Sequence, residues 1–287
     1  AERERMVALE TGRIRRALLD CCAPAILLKG AAYAALGLPI SRGRLTGDVD
    51  ILVHRSSLQA VESCLEAHGW SSTIEDSYDQ RYYRRYMHEL PPLRHELRGT
   101  VVDVHHTITP PTSRIRIDGE MLWPDARPIG MPGLLTLAPA DMVLHAAIHL
   151  FHEGNPAGGL RDLLDIDGLL RHFGGDAGFW DDLVRRADEF SAKRILGYAL
   201  RYARLVFATP IPEVMQRQAV RWEPPAPLQW AMDGLFLAAL LSPTVEGRLG
   251  TRFASLTLYV RSHWRRMPPA LLAGHLLRKA VARRSEA

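Results

Sequence analysis

The chain has 287 residues, 47% hydrophobic and 24% charged, with a formal net charge of +4, which is more than one average domain and ample for a core. No apolar run reaches the roughly 20 residues that a membrane span requires, the longest lying around "GLFLAALL", Gly234 to Leu241. The charged opening "AERERMVALETGRIRR" has no signal core after it, and Cys21, Cys22 and Cys64 lack zinc-ligand spacing, so a reduced cytoplasmic protein is expected.

In chain order, "APAILLKGAAYAALGLP" predicts a short buried strand, Ala25 to Leu28, turning at Lys29 and Gly30 into a helix from Ala31 to about Leu36. Gly30 lets backbone approach a ligand, the free N–H groups of a helix start attract anions, and Lys29 adds a point charge. The plainer alternative is a helix entry with a surface lysine. "GRLTGDVDILV", Gly43 to Val53, reads as a polar turn and then a strand. Side chains alternate along a strand, so Asp48 and Asp50 point one way, and Val49 and Ile51 the other. Two carboxylates held so close resist ionisation unless a cation or donors lie between them. A turn cap at Asp48 and a solvated Asp50 would be the ordinary reading.

"SLQAVESCLEAHG" has helical spacing at Leu58, Val61 and Leu65. The aromatic, basic run "YDQRYYRRYMHELPPLRHELRG" either covers a site, stacking a base or gripping an acceptor, or forms an edge strand and loop. "TVVDVHHTI" predicts a strand with Val102 and Val104 on one face and Val101, Asp103 and His105 on the other. An aspartate among valines must be exposed, hydrogen-bonded or bound to something positive. Three aspartates on two neighbouring strands can hold two divalent cations about 4 Å apart, suited to in-line phosphoryl displacement.

From about Leu137 helical segments dominate: "PADMVLHAAIHLFHE", "GLRDLLDIDGLLRHF", "FWDDLVRRADEF", "SAKRILGYALRYARLVF", "PLQWAMDGLFLAALL" and "PPALLAGHLLRKAVARR". The expected organisation is a mixed α and β domain over residues 1–135 and a helical domain over residues 136–287. His145 and His149 are four apart and His152 follows; they bind a metal or, without one, hydrogen-bond to Asp162 or Asp165 on the next helix. Of the 36 Lys and Arg, eight fall between Thr251 and Ala287 against one acid, Glu286. Such an end suits RNA, an anionic surface or an acidic partner, or else forms a solvated helix face.

Taken together, "LLKG", "RLTGDVDILV" and "VVDVHHTI" resemble the uncharacterised nucleotidyltransferase family of the DNA polymerase β superfamily, in which a K-G turn stands where relatives have Gly-Ser. The resemblance spans roughly Ile26 to Leu170. It implies an α+β fold, a polymerase β-like domain with a small mixed sheet followed by an α-helical domain. It also implies that Arg44, four residues before the first aspartate, is the family's arginine, and that His149, Arg161 and Asp165 match its helical part. The 18 residues from Gly30 to Asp48 exceed the usual gap, and lysine replaces a hydroxyl donor, so the phosphate cradle is expected to differ in shape.

By this resemblance Asp48, Asp50 and Asp103 are catalytic and hold Mg2+ or Mn2+, with Asp103 as general base. Lys29, Gly30, Arg44 and His105 bind the nucleotide. The implied reaction moves a nucleotidyl group from a nucleoside triphosphate to a hydroxyl or phosphate of a small molecule or peptide, in peptide natural-product or polysaccharide biosynthesis. Two other readings stand beside it: a toxin-like enzyme modifying tRNA or protein, and a non-catalytic nucleotide-binding partner.

Overall fold

A computed structural model describes residues 2–43, 47–153, 159–241 and 249–266. Seven strands form one mixed sheet: β1 (Ala25–Leu27), β2 (Asp48–Leu52), β3 (Trp70–Ser72), β4 (Leu93–His95), β5 (Val101–His105), β6 (Arg127–Pro128) and β7 (Leu134–Thr136). Their order is β3-β4-β5-β2-β1-β7-β6. Strands β1/β7 and β2/β5 pair in parallel and the other neighbours are antiparallel.

Eleven α-helices accompany the sheet among the described residues. The first four are α1 (Glu2–Asp20), α2 (Lys29–Ala35), α3 (Leu58–Ala67) and α4 (Ser77–Tyr86). After the last strand come α5 (Pro139–Ile148), α6 (Leu160–Phe173), α7 (Phe179–Glu189), α8 (Lys193–Phe207), α9 (Glu213–Val220), α10 (Ala226–Leu240) and α11 (Leu249–Arg266). A sheet-bearing N-terminal part thus precedes a helical C-terminal region, the α+β class expected. No helix among the described residues is long and apolar enough to cross a membrane.

Two compact units emerge from the packing. One comprises Ala1–Pro111, Ile117–His145 and Gly168–Arg186; the other comprises Thr112–Arg116, Ala146–Asp167 and Ala187–Ala287. In the first, Ile26, Leu27, Ile51, Leu52, Val102 and Val104 are shut away from solvent, as expected of central strands covered on their faces. Helix α1 is tied down by Glu10, which is 2% exposed and accepts from Arg98 Nη2 at 2.9 Å and Thr100 Oγ1 at 2.8 Å. The fully buried Asp141 receives Arg186 through two bonds, Nε at 2.7 Å and Nη2 at 2.8 Å, a fork that satisfies both carboxylate oxygens.

In the second unit Phe151, Tyr198, Tyr202 and Phe236 form an aromatic cluster with ring centroids 5.2–6.1 Å apart. Arg201 grips Asp233 at 2.6 Å and Glu223 at 3.1 Å on its edge. The helical turn after α5 widens into a π-turn, His149–Glu153. There His149 Nδ1 lies 3.3 Å from an Asp162 carboxylate oxygen, the metal-free pairing that the sequence allowed. The run "PPALLAGHLLRKAVARR" falls outside the described residues.

Candidate active site

Two parallel strands set the site. Register places Asp50 opposite Asp103, Asp48 opposite Val101, and Leu52 opposite His105. In-register partners share a face, and alternate residues return to it, so Asp48, Asp50, Asp103 and His105 all rise from one side of the sheet. Their apolar neighbours Val49, Ile51, Val102 and Val104 are buried on the other.

Next to them a segment outside the named strands completes the group. Leu90 N donates to Val104 O at 2.8 Å and His106 N to His88 O at 2.9 Å, which lays residues 88–90 along β5 and sets Glu89 opposite His105. Glu89 is a member of the site that the sequence reading did not single out. It sits in "MHELPPL", a stretch without period-2 alternation, and only a long-range bridge brings it to His105. The run that held it as an edge strand and loop, or as a cover, folds as helix α4 followed by β4. Helix α4 starts on Asp76, whose carboxylate accepts from Tyr78 N and Asp79 N at 2.8 and 2.9 Å. It brings the Tyr83 hydroxyl close enough that burial first, and then the charges of Glu89 and Asp103, push its pKa up.

Lys29 opens α2 with a left-handed backbone, φ +43°, a conformation that costs a non-glycine residue energy and is concentrated at functional turns. Gly30 follows, buried in the first turn. The turn is fixed by Leu28 N donating to Asp50 O at 3.0 Å. From it the Lys29 ammonium reaches Asp50 Oδ1 at 2.9 Å, and His105 Nε2 meets the same oxygen at 3.1 Å. Asp50 is 5% exposed, so burial opposes its charge, yet the Lys29 charge and the His105 hydrogen bond hold its pKa well below the usual carboxylate range. Burial would lower the Lys29 pKa, but the neighbouring Asp50, then Glu89 and Asp48, raise it above the ordinary lysine value. His105 likewise is raised: burial works against its proton, and Asp50 and Glu89, the latter 3.5 Å away, hold it.

Asp103 is the contrast. Its Oδ1 is shielded from solvent with no hydrogen-bond partner among the described residues. Burial, followed by the charges of Glu89 and Asp50, pushes its pKa up to about 7. Four carboxylates, those of Asp48, Asp50, Glu89 and Asp103, therefore gather around the Lys29 ammonium and the His105 imidazole. A buried carboxylate oxygen without a donor, beside further acids, fits a divalent cation. His88, Glu89 and His105 offer a second donor set, one ligand atom from each lying within 4.8 Å of the others. Arg44 falls outside the described residues. Arg161 lies 4.0 Å from Asp162, and Asp165 is buried; both belong to the helical region.

A mixed sheet thus carries acids in register on adjoining parallel strands, with a lysine-glycine turn beside them. The chain belongs to the family described as uncharacterised nucleotidyltransferases, which matches residues 1–208. It is accordingly a transferase that uses a nucleoside triphosphate. No curated protein and no solved structure matches the chain.

Proposed function

We propose that the protein transfers a nucleotidyl group from a nucleoside triphosphate to a hydroxyl or phosphate of a small molecule or peptide, with Mg2+ or Mn2+ as cofactor. The single observation behind this reading is the in-register pair Asp50 and Asp103, of which Asp103 keeps a buried oxygen without a donor. Asp48, Asp50 and Asp103 would hold the ion, with Glu89 and His105 beside them. A divalent ion bound there supplies positive charge to the phosphate oxygens.

The chain's own groups do the rest. Asp103, beside the ion, accepts the proton of the acceptor hydroxyl. The acceptor oxygen then bonds to the α-phosphorus, the bond from that phosphorus to the bridging oxygen breaks, and pyrophosphate leaves with its electron pair. Lys29 and the Gly30 backbone, with Arg44 and His105, orient the triphosphate and balance its charge. Lys29 therefore serves two anions in turn, its own Asp50 and the phosphates. In this reading the acceptor comes from peptide natural-product or polysaccharide chemistry.

Incubation of the full chain with each α-labelled triphosphate, Mg2+ or Mn2+ and candidate acceptors tests the reading. Label should move to an acceptor with release of pyrophosphate, and Asp103→Asn should stop it. Undiminished transfer in that variant would remove Asp103 from the mechanism.

A further inference from the structure

Around the end of α11 the helical unit gathers arginines that no carboxylate meets among the described residues. On α11, Arg261 and Arg265 are one turn apart and share a face, and Arg266 ends the helix. Arg261 Nη1 donates to Phe151 O at 3.0 Å, and its guanidinium lies over the Tyr198 and Phe236 rings at 5.8 and 5.7 Å. Arg265 Nε donates to His152 Nδ1 at 3.3 Å. Thr112 Oγ1 and the Arg114 N–H close the helix end on the carbonyls of Arg266 and Arg265, at 2.8 and 3.0 Å. The Arg114 guanidinium sits 5.7 Å over the Trp264 ring.

His152, fully buried, cannot neutralise these charges. Burial and then the charges of Arg265, Arg261 and Arg266 lower its pKa to about 3, so the ring is neutral. Because Nδ1 accepts from Arg265, Nε2 carries the hydrogen and donates to Ser113 Oγ at 2.6 Å. Ser113 Oγ also accepts from Ile115 N at 3.2 Å, which leaves its own O–H to donate elsewhere.

Burial, then the charges of Arg261, Arg114 and Arg194, hold Arg265 down at about 10, far below an ordinary guanidinium. Among the described residues no carboxylate pairs with Arg114, Arg194, Arg261, Arg265 or Arg266, and Arg266 Nε is shielded without a partner. In the same unit Arg201 is matched by two acids. Mutually repelling, partly buried guanidiniums whose planes are held by rings and carbonyls are arranged for an oxyanion, which each can meet through two N–H groups. Their confinement to the end of one helix and the adjoining Arg114 suits a compact dianion and not an extended strand of nucleic acid.

We propose that Arg261, Arg265 and Arg266 of α11, with Arg114, form an oxyanion site that receives the phosphoryl group of a phosphate monoester or of pyrophosphate. The site stands apart from the nucleotidyl-transfer reading and uses none of its residues. Calorimetric titration of the full chain, without divalent ions, uses inorganic phosphate, pyrophosphate and phenyl phosphate, with chloride at matched ionic strength as control. Saturable binding is expected, weakened tenfold or more in Arg265→Gln. Arg114→Gln, at an exposed position, provides a variant whose folding is not at issue and should weaken binding severalfold. The two organic and inorganic arms separate an ester ligand from free phosphate or pyrophosphate. Binding no better than chloride, or wild-type affinity in both arginine variants, would overturn the proposal.

Discussion

Asp50 and Asp103 stand opposite each other on two parallel strands, and among the described residues Lys29 is bonded to Asp50. Asp50 has both Lys29 and His105 on one oxygen, while Asp103 has an oxygen enclosed with no donor among the described residues. Equal chemistry in unequal surroundings splits the pair into a permanent anion and a group that holds a proton up to about neutral pH.

That split has a measurable pH signature. Asp103 rises from an ordinary 3.8 to about 7, so its folded form prefers the proton. The resulting stability is complete below the ordinary value and lost as pH climbs through 7. Asp103→Asn should match the wild type near pH 4 and exceed it by on the order of 2 kcal/mol at pH 8 without divalent ions. Urea denaturation at several pH values reads this directly; identical curves for the two proteins at pH 8 would contradict it.

A divalent ion should reverse the ranking. Added Mn2+ at pH 8 is expected to raise the wild-type melting temperature and to leave Asp103→Asn nearly unmoved. Imidazole donors at His88 and His105 suit a transition ion better than Mg2+. Mn2+ should therefore act at lower concentration than Mg2+, which thermal-shift titrations with both ions will resolve.

Lys29 is expected to matter before any substrate arrives. Lys29→Met removes the main partner of a 95% enclosed carboxylate and leaves His105 alone on it. Breaking a buried pair in this way costs about 3 kcal/mol. The loss should shrink on acidification, because the lowered pKa of Asp50 gives stability that is present above 3.8 and vanishes as pH falls below it. Equal stability of the two proteins at pH 7 would show that the ion pair is not a fold determinant.

Gly168 tests packing away from the chemistry. A methyl added there would come within 1.8 Å of Ile40 Cγ2, closer than atoms can stand. Overpacking typically costs 1–3 kcal/mol, more than the roughly 1 kcal/mol that alanine returns in a helix. Gly168→Ala should lower stability, and Ile40→Ala combined with it should recover most of the loss. Simple addition of the two single effects would rule out that contact.

The sequence made two central strands legible because alternation is a local signal: "DVDILV" and "TVVDVHHTI" each show which side chains share a face. It also placed both acids correctly on their strands, but their register depends on hydrogen bonds between distant segments. Glu89 was not legible, since no period marks "MHELPPL" and its value lies wholly in what it faces. Helix α4 escaped for a related reason, and α11 was legible only as a solvated helix face at the basic end. "SYDQRYYRRY" is polar on nearly every side, and in α11 Arg261 and Arg265 occupy inward positions where a hydrophobic pattern would have announced a helix. The partner of Lys29 was likewise hidden, as a side chain that looks poised for an external anion can equally fold back on an internal one.

Interleaving of the two units has a consequence for how the chain is born. The sheet-bearing unit needs Gly168–Arg186, and the helical unit needs Thr112–Arg116, so each borrows a piece synthesised on the other side of its neighbour. Since domains ordinarily condense as the nascent chain emerges, the first unit must wait for residue 186 to clear the ribosome. A translation pause before that point would leave all seven strands made but the end of α6 and α7 still to come, so delivery of those helices becomes a matter of timing in biogenesis.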